Sequence, residues 1–197
     1  MSSLLAASNA LPLLPEAAPE TVIAWHRQHA ITRQAFLGKV QTLASSLPAQ
    51  GPVINLCTDR LHFALGLFAS ICRGSLSLLP NAVTRETLAR LQTLHPGLHA
   101  LCEPGGECFG LPAIEVSADT LAVSGADTAP MIPADQAIAC VFTSGSTGAP
   151  QPHLKRWRSL RTNIDAEARR LWATAGGPCA VLGTVPFQHM YGLESTV

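Results

Sequence analysis

An apolar run from Ala137 to Phe142 delivers the backbone into Thr143, Ser144, Gly145, Ser146, Thr147 and Gly148, six residues with little bulk and many donors. Gly145 and Gly148 can take positive φ and let the main chain come close to a ligand. Successive backbone N–H groups in such a loop converge into an anion-binding nest, and the four hydroxyl side chains add donors. The chemistry on offer is a phosphate cradle. A Walker A loop is excluded, because Gly145 is followed five positions later by Pro150 instead of Gly-Lys. A nucleophile elbow, Gly-x-Ser-x-Gly, is weakened, because Ser144 stands where its first glycine belongs.

The elements that must position this loop alternate between helices and strands. Thr32 reads as an N-cap, followed by Phe36, Leu37, Val40, Leu43, Ala44 and Leu47 at helical spacing, with Pro48 as the stop. Pro52 to Cys57 reads as a buried strand. Thr58 or Asp59 caps a helix through Cys72, and Gly74 fits its C′ position. Ser75 to Leu79 is a short strand, and Thr84 caps a helix through Leu94. Short strands are expected near 98–102 and 113–117, a loop over 118–134, and a strand over 137–142. Trp157, Leu160, Ile164, Ala168 and Leu171 form an apolar stripe on the next helix, where Trp157 and Trp172 are expected to pack. Cys179 to Val185 reads as another buried strand, with a helix after Pro186. This alternation predicts an α/β fold with a mainly parallel sheet flanked by helices, preceded by an irregular arm over 1–20. Ligands of such sheets bind beyond the carboxyl ends of strands, where both Thr143 and Pro186 are expected to lie.

Composition narrows the class. Hydrophobic residues make up 47% of the 197 and charged residues only 13%, so much of the surface is expected to be covered. Formal net charge is zero, so no global field argues for nucleic acid or a membrane surface. No Lys or Arg occurs between Arg90 and Lys155, and then Lys155, Arg156, Arg158, Arg161, Arg169 and Arg170 arrive together. These are either a basic patch beside the loop or a solvated helix face. The six cysteines (57, 72, 102, 108, 140 and 179) show no CxxC pair and no metal-ligand spacing, which fits a reducing, cytoplasmic location. The N-terminus lacks the pattern of a signal peptide, and Leu61 to Pro80 is broken by His62, Arg73 and Gly74, so no membrane insertion is expected. His26, His29, His62, His95, His99 and His153 show no pairing in the sequence.

Thr143 to Pro150, Thr-Ser-Gly-Ser-Thr-Gly-x-Pro, resembles the phosphate-binding signature of the adenylate-forming superfamily: acyl- and aryl-CoA synthetases, peptide-synthetase adenylation domains and luciferases. A second segment, Pro186-Phe-Gln-His-Met-Tyr-Gly-Leu193, resembles the family's Pro-x-x-His-x-x-Gly-Leu stretch that lines the acyl pocket. Two motifs in the right order are far more specific than one. The wording Gln188 to Glu194 looks most like the ligases that load aryl acids in aryl-polyene pigment pathways. The resemblance implies the N-terminal part of the large domain, spanning 21–197, of an enzyme that activates an aryl or acyl acid with ATP and Mg²⁺ and passes it to a carrier-protein or CoA thiol. It implies that Thr143, Ser144, Gly145, Ser146, Thr147 and Gly148 hold phosphates and that His189, Tyr191 and Gly192 line the acid pocket, with His189 as the catalytic candidate.

Two departures qualify the resemblance. The family signature ends Pro-Lys, whereas this chain has Gln151, and Lys155 is the substitute at hand. If 151–155 is extended, four residues span about 13 Å, too far for Lys155 to stand in directly. If it is helical, the offset is about 6 Å. The adenine-binding, ribose-binding and lid segments of the family also lie beyond Val197, so little or no adenylation is expected of these residues alone. The alternatives are a non-catalytic nucleotide- or acyl-binding module and, more distantly, a serine hydrolase built on Ser146 and His189.

Overall fold

The computed structural model describes residues 9–119, 128–143, 151–187 and 190–197. In chain order the elements are β1 (Ala10–Pro12), β2 (Val22–His26), β3 (His29–Thr32), α1 (Arg33–Ser46), β4 (Val53–Asn55), α2 (Arg60–Arg73), β5 (Ser77–Leu79), α3 (Arg85–Leu94), β6 (His99–Cys102), β7 (Ala113–Glu115), β8 (Met131–Pro133), β9 (Ala137–Thr143), β10 (Gln151–Arg156), α4 (Trp157–Ala175) and α5 (Met190–Thr196). The central sheet has the order β10-β9-β5-β4-β6-β7. Strands β9, β5, β4, β6 and β7 run parallel, and β10 pairs antiparallel with β9. This is the expected α/β architecture with a mainly parallel sheet.

The helices start where their caps put them. Thr32 Oγ1 accepts from Ala35 N–H at 3.2 Å, and Thr84 Oγ1 accepts from Thr87 N–H at 3.1 Å. Asp59 Oδ1 accepts from the N–H groups of Leu61 and His62 at 2.9 and 3.2 Å. Gly74 ends α2 at φ +77°, the left-handed conformation that glycine takes without a Cβ penalty. Sheet alternation then separates two cores. Val53, Leu79, Leu101, Ala139 and Val141 face α1, α2 and the first turns of α4. Ile54, Leu78, Ala100, Cys102 and Cys140 face α3. α2 lies against both the sheet and α1 and is apolar nearly all round, as a doubly covered helix must be.

Several expectations are corrected, and one hairpin was not anticipated. Within the arm expected to be irregular, β1 pairs antiparallel with β8, in a region read as loop, and Leu13 is buried. The β2–β3 hairpin turns through Arg27 and Gln28 at φ 48° and 68°, without the Asn-Gly or Asp-Gly that signals such a turn. Cys179 to Val185 is not a strand, and Leu182 is 90% exposed. Two of the segment's carbonyls, Gly183 O and Val185 O, accept from the Arg60 side chain in place of a strand partner. The apolar stripe of α4 is buried only at Trp157 and Leu160, while Leu171 and Trp172 are exposed, so Trp172 does not pack as expected.

Candidate functional site

β9 and β10 are the two sides of the loop that carries the candidate phosphate residues. Their register sets Thr143 opposite Gln151, so residues 144–150 are bracketed by a single cross-strand pair. Ser144, Gly145, Ser146, Thr147 and Gly148 lie outside the described residues, as does His189. Segment 151–156 is extended, as Pro152 favours for the residue before it. Gln151 is therefore at the loop mouth, while Lys155 pairs with Ala139, four residues and about 13 Å down the strand. The extended alternative holds, and Lys155 is not placed where the missing lysine would be.

Three of the arginines after the loop are engaged elsewhere. Arg156 donates to Asp135 O at 2.5 Å, Arg158 donates to Asn9 Oδ1, and Arg161 lies 3.5 Å from Asp165 while covering Trp157. Arg158 and Arg161 lie on the first turns of α4, and Arg156 ends β10. Trp157 is 1% exposed and its Nε1 donates to Leu11 O at 3.3 Å, tying α4 to β1. A cavity of about 410 Å³ opens beside the loop mouth, lined among others by Pro80, Asn81, Glu86, Arg90, Phe142 and Pro152. It sits at the carboxyl ends of β5 and β9, the edge where parallel sheets receive ligands.

The second motif reaches the same edge through α2. Because β4 is parallel to β9 by way of β5, the N-terminus of α2 opens on the side of the sheet where Thr143 ends. From there the Arg60 guanidinium donates to Gly183 O and Val185 O at 3.2 and 3.0 Å and covers the Phe187 ring at 5.1 Å. Phe187 packs against Phe63 with ring centroids 4.7 Å apart. Pro186 is thus anchored without being in a strand. Tyr191 is 65% exposed. Gly192 is buried, and a Cβ there would meet Pro186 O at 2.3 Å, so close packing requires glycine. Glu194 Oε1 accepts from Asn163 Nδ2 at 3.1 Å, which fixes α5 on α4.

One polar cluster has no counterpart in the sequence reading. His26 Nε2 lies 2.8 Å from Asp59 Oδ2, and the His26 and His62 ring centroids are 5.8 Å apart. Glu103 Oε1 accepts from the N–H groups of Thr58 and Asp59 at 2.9 and 2.6 Å, and its Oε2 accepts from Thr58 Oγ1 at 3.0 Å. His62 is buried, and its Nδ1 stands 3.5 Å from Glu103 Oε1, too far for a hydrogen bond. Burial pushes the Asp59 carboxyl up, but the hydrogen bonds from His26 and the His62 amide, with both imidazole charges, hold it below the ordinary aspartate value. The cluster borders a cavity of about 580 Å³ lined by Arg27, Asp59, His62, Glu103 and Asp119 among others. Only the Asp59 cap was visible in the sequence, since the partners come from three separate elements.

Among the described residues, no group of three or more His, Cys, Asp or Glu side chains is arranged to hold a metal ion. Among the same residues no helix is long and apolar enough to cross a membrane.

No protein-family model matches this chain, and no curated protein matches it by sequence. Solved structures do share its fold. O-succinylbenzoate CoA synthetase (MenE) of Bacillus subtilis, in complex with ATP and magnesium, matches with a TM-score of 0.65 and 15% identity over 90% of this chain and 50% of that one. A malonyl-CoA ligase, in a product complex with methylmalonyl-CoA and AMP, matches with a TM-score of 0.66 and 17% identity over 93% of this chain and 39% of that one. The N-terminal subdomain of Klebsiella oxytoca NpsA, in complex with 3-hydroxybenzoyl-AMSN, matches with a TM-score of 0.57 and 16% identity over 74% of this chain and 39% of that one. The chain spans about half the length of the first of these. At such identities the shared property is the fold.

Proposed function

We propose that this chain is the N-terminal part of an ATP-dependent carboxylate–thiol ligase of the adenylate-forming superfamily. In the first step an oxygen of an aryl or acyl carboxylate attacks the α-phosphorus of ATP, and the bond to the bridging oxygen breaks to release pyrophosphate. In the second, the thiolate of a carrier protein or of CoA attacks the acyl carbon and AMP leaves. Residues 143–148 would grip the β- and γ-phosphates, offering N–H and O–H donors to charge that grows on the departing pyrophosphate. Mg²⁺, carried on the nucleotide's phosphates, would supply further positive charge there. His189, Tyr191 and Gly192 belong to the acid-pocket wall in this proposal, and the enzyme acts in the cytoplasm. The aryl-polyene type remains the subfamily proposed from the Gln188–Glu194 wording.

The observation that carries this proposal is the Thr-Ser-Gly-Ser-Thr-Gly-x-Pro sequence beginning at the carboxyl end of an internal parallel strand. Support comes from the fold shared with MenE solved with ATP and magnesium and with a malonyl-CoA ligase solved with AMP. The cavity beside Phe142 and Pro152 supplies room for a ligand at that edge. Isotope exchange between pyrophosphate and ATP by the whole polypeptide that carries this chain, run against aryl and fatty acids, tests it. Exchange that depends on one class of acid is expected. No exchange with any acid, together with retained nucleotide binding, would assign the chain to a binding module instead.

A further inference from the structure

Cys102 and Cys108 lie apart from the proposed nucleotide site. Cys102 ends β6 and is buried, whereas Cys108 is partly exposed on the far side of the 103–107 turn. Their Cα atoms are 6.5 Å apart and their sulfurs are in bonding contact, a separation that a disulfide spans without backbone movement. The turn between them is closed by a hydrogen bond from Gly106 N–H to Glu103 O at 2.8 Å, with Gly105 at φ +72°. The next residue after Cys102 is Glu103, whose carboxylate receives Thr58 and Asp59 at the start of α2.

The other sulfurs are set apart from this pair. Burial, with the nearby charges of Glu103 and Asp59, pushes the Cys57 thiol up to about 12, and burial pushes Cys72 to about 11. Burial also raises Cys140. Such thiols hold little thiolate and react slowly. Cys179 is exposed and free.

We propose that Cys102 and Cys108 are a reversible redox pair that is closed by a low-molecular-weight disulfide and, when closed, fixes the Glu103 carboxylate at the first turn of α2. The Cys108 thiolate attacks one sulfur of glutathione disulfide, breaking its S–S bond and releasing one glutathione thiolate. The Cys102 thiolate then attacks the Cys108 sulfur of the mixed disulfide and releases the second. One protein disulfide forms, one glutathione disulfide is consumed, and both thiol protons end on glutathione. The sequence separation of 6 keeps the second attack intramolecular. In compartments kept reducing, disulfides of this kind are transient and redox-sensing.

The test uses a Cys179→Ser background, equilibrated across ratios of reduced to oxidised glutathione, alkylated with N-ethylmaleimide and analysed by intact mass and peptide mapping. Two alkylation sites are expected to disappear together on a linked 102–108 peptide and to return with dithiothreitol. Amide hydrogen exchange at residues 58–62 is expected to be several-fold slower in the closed form. Adding Cys108→Ser, a conservative change at a partly exposed site, should abolish the coupled loss and leave exchange at the reduced level. A stable glutathione adduct on Cys108 without the linkage, pairing of either cysteine elsewhere, or equal exchange at 58–62 in both states would overturn the proposal.

Discussion

Gln151 and Lys155 stand on one strand, four residues apart. Gln151 faces Thr143 at the mouth, and Lys155 faces Ala139 well below it. Lys155→Ala should therefore leave ATP affinity within about twofold, whereas Gln151→Lys should tighten it about fivefold, corresponding to the roughly 1 kcal/mol of a favourable exposed ion pair. Calorimetric titration of both variants with ATP checks this, and a large loss in Lys155→Ala would return that residue to the site. Asp59 supplies a pH dependence. Its carboxyl is held below the ordinary value of 3.8, so its stabilisation is complete above that value and is lost as pH falls through the lower folded value. Asp59→Asn keeps a capping side chain but loses the charge beside His26. Urea denaturation should show this variant less stable than the parent at pH 7, with the gap beginning to close only below the ordinary value of 3.8. A gap independent of pH would mean that the charge contributes nothing.

The elements show where local chemistry was enough and where it was not. Thr32, Asp59, Thr84 and Gly74 were legible because a cap is a contract between a side chain and its own next turn. β4 and β5 were legible as apolar runs between turn residues, although each is shorter than the run that announced it. The β1–β8 pair was hidden because its register joins residues far apart in sequence and both strands end in proline. Cys179–Val185 misled in the opposite sense, since an apolar run states an appetite for burial but not which edge will satisfy it. The Glu103 clamp was illegible because α2 and β6 meet only in the fold. Gly66 brings α2 close to the sheet: a Cβ there would meet Asn55 Nδ2 at 2.6 Å and Leu101 Cδ1 at 3.0 Å. Asn55 Nδ2 is held in place by donating to Phe63 O at 2.9 Å. Gly66→Ala should cost about 2 kcal/mol in chemical denaturation through overpacking, despite alanine's better helix propensity. A stabilised variant would show that the helix can shift outward freely.

For the molecule as a whole, low charge goes with several exposed large apolar side chains. Leu171, Trp172, Val181 and Leu182 are exposed on α4 and the segment after it. Replacing Trp172 and Leu182 with glutamate should raise the solubility limit and reduce binding of a hydrophobic dye. Thermal stability should barely change, because exposed positions contribute little to folding; a large drop in melting temperature would show that they pack. The proposed phosphate loop remains the centre of the functional proposal, joined to a fold that ATP- and AMP-bound ligases share. The most direct measurement is acid-dependent ATP–pyrophosphate exchange by the whole polypeptide carrying Ser146→Ala and Thr147→Ala. The account predicts a fall of about a hundredfold or more, as for removing donors aimed at developing charge, with the melting temperature unchanged. An exchange rate equal to that of the parent would contradict it.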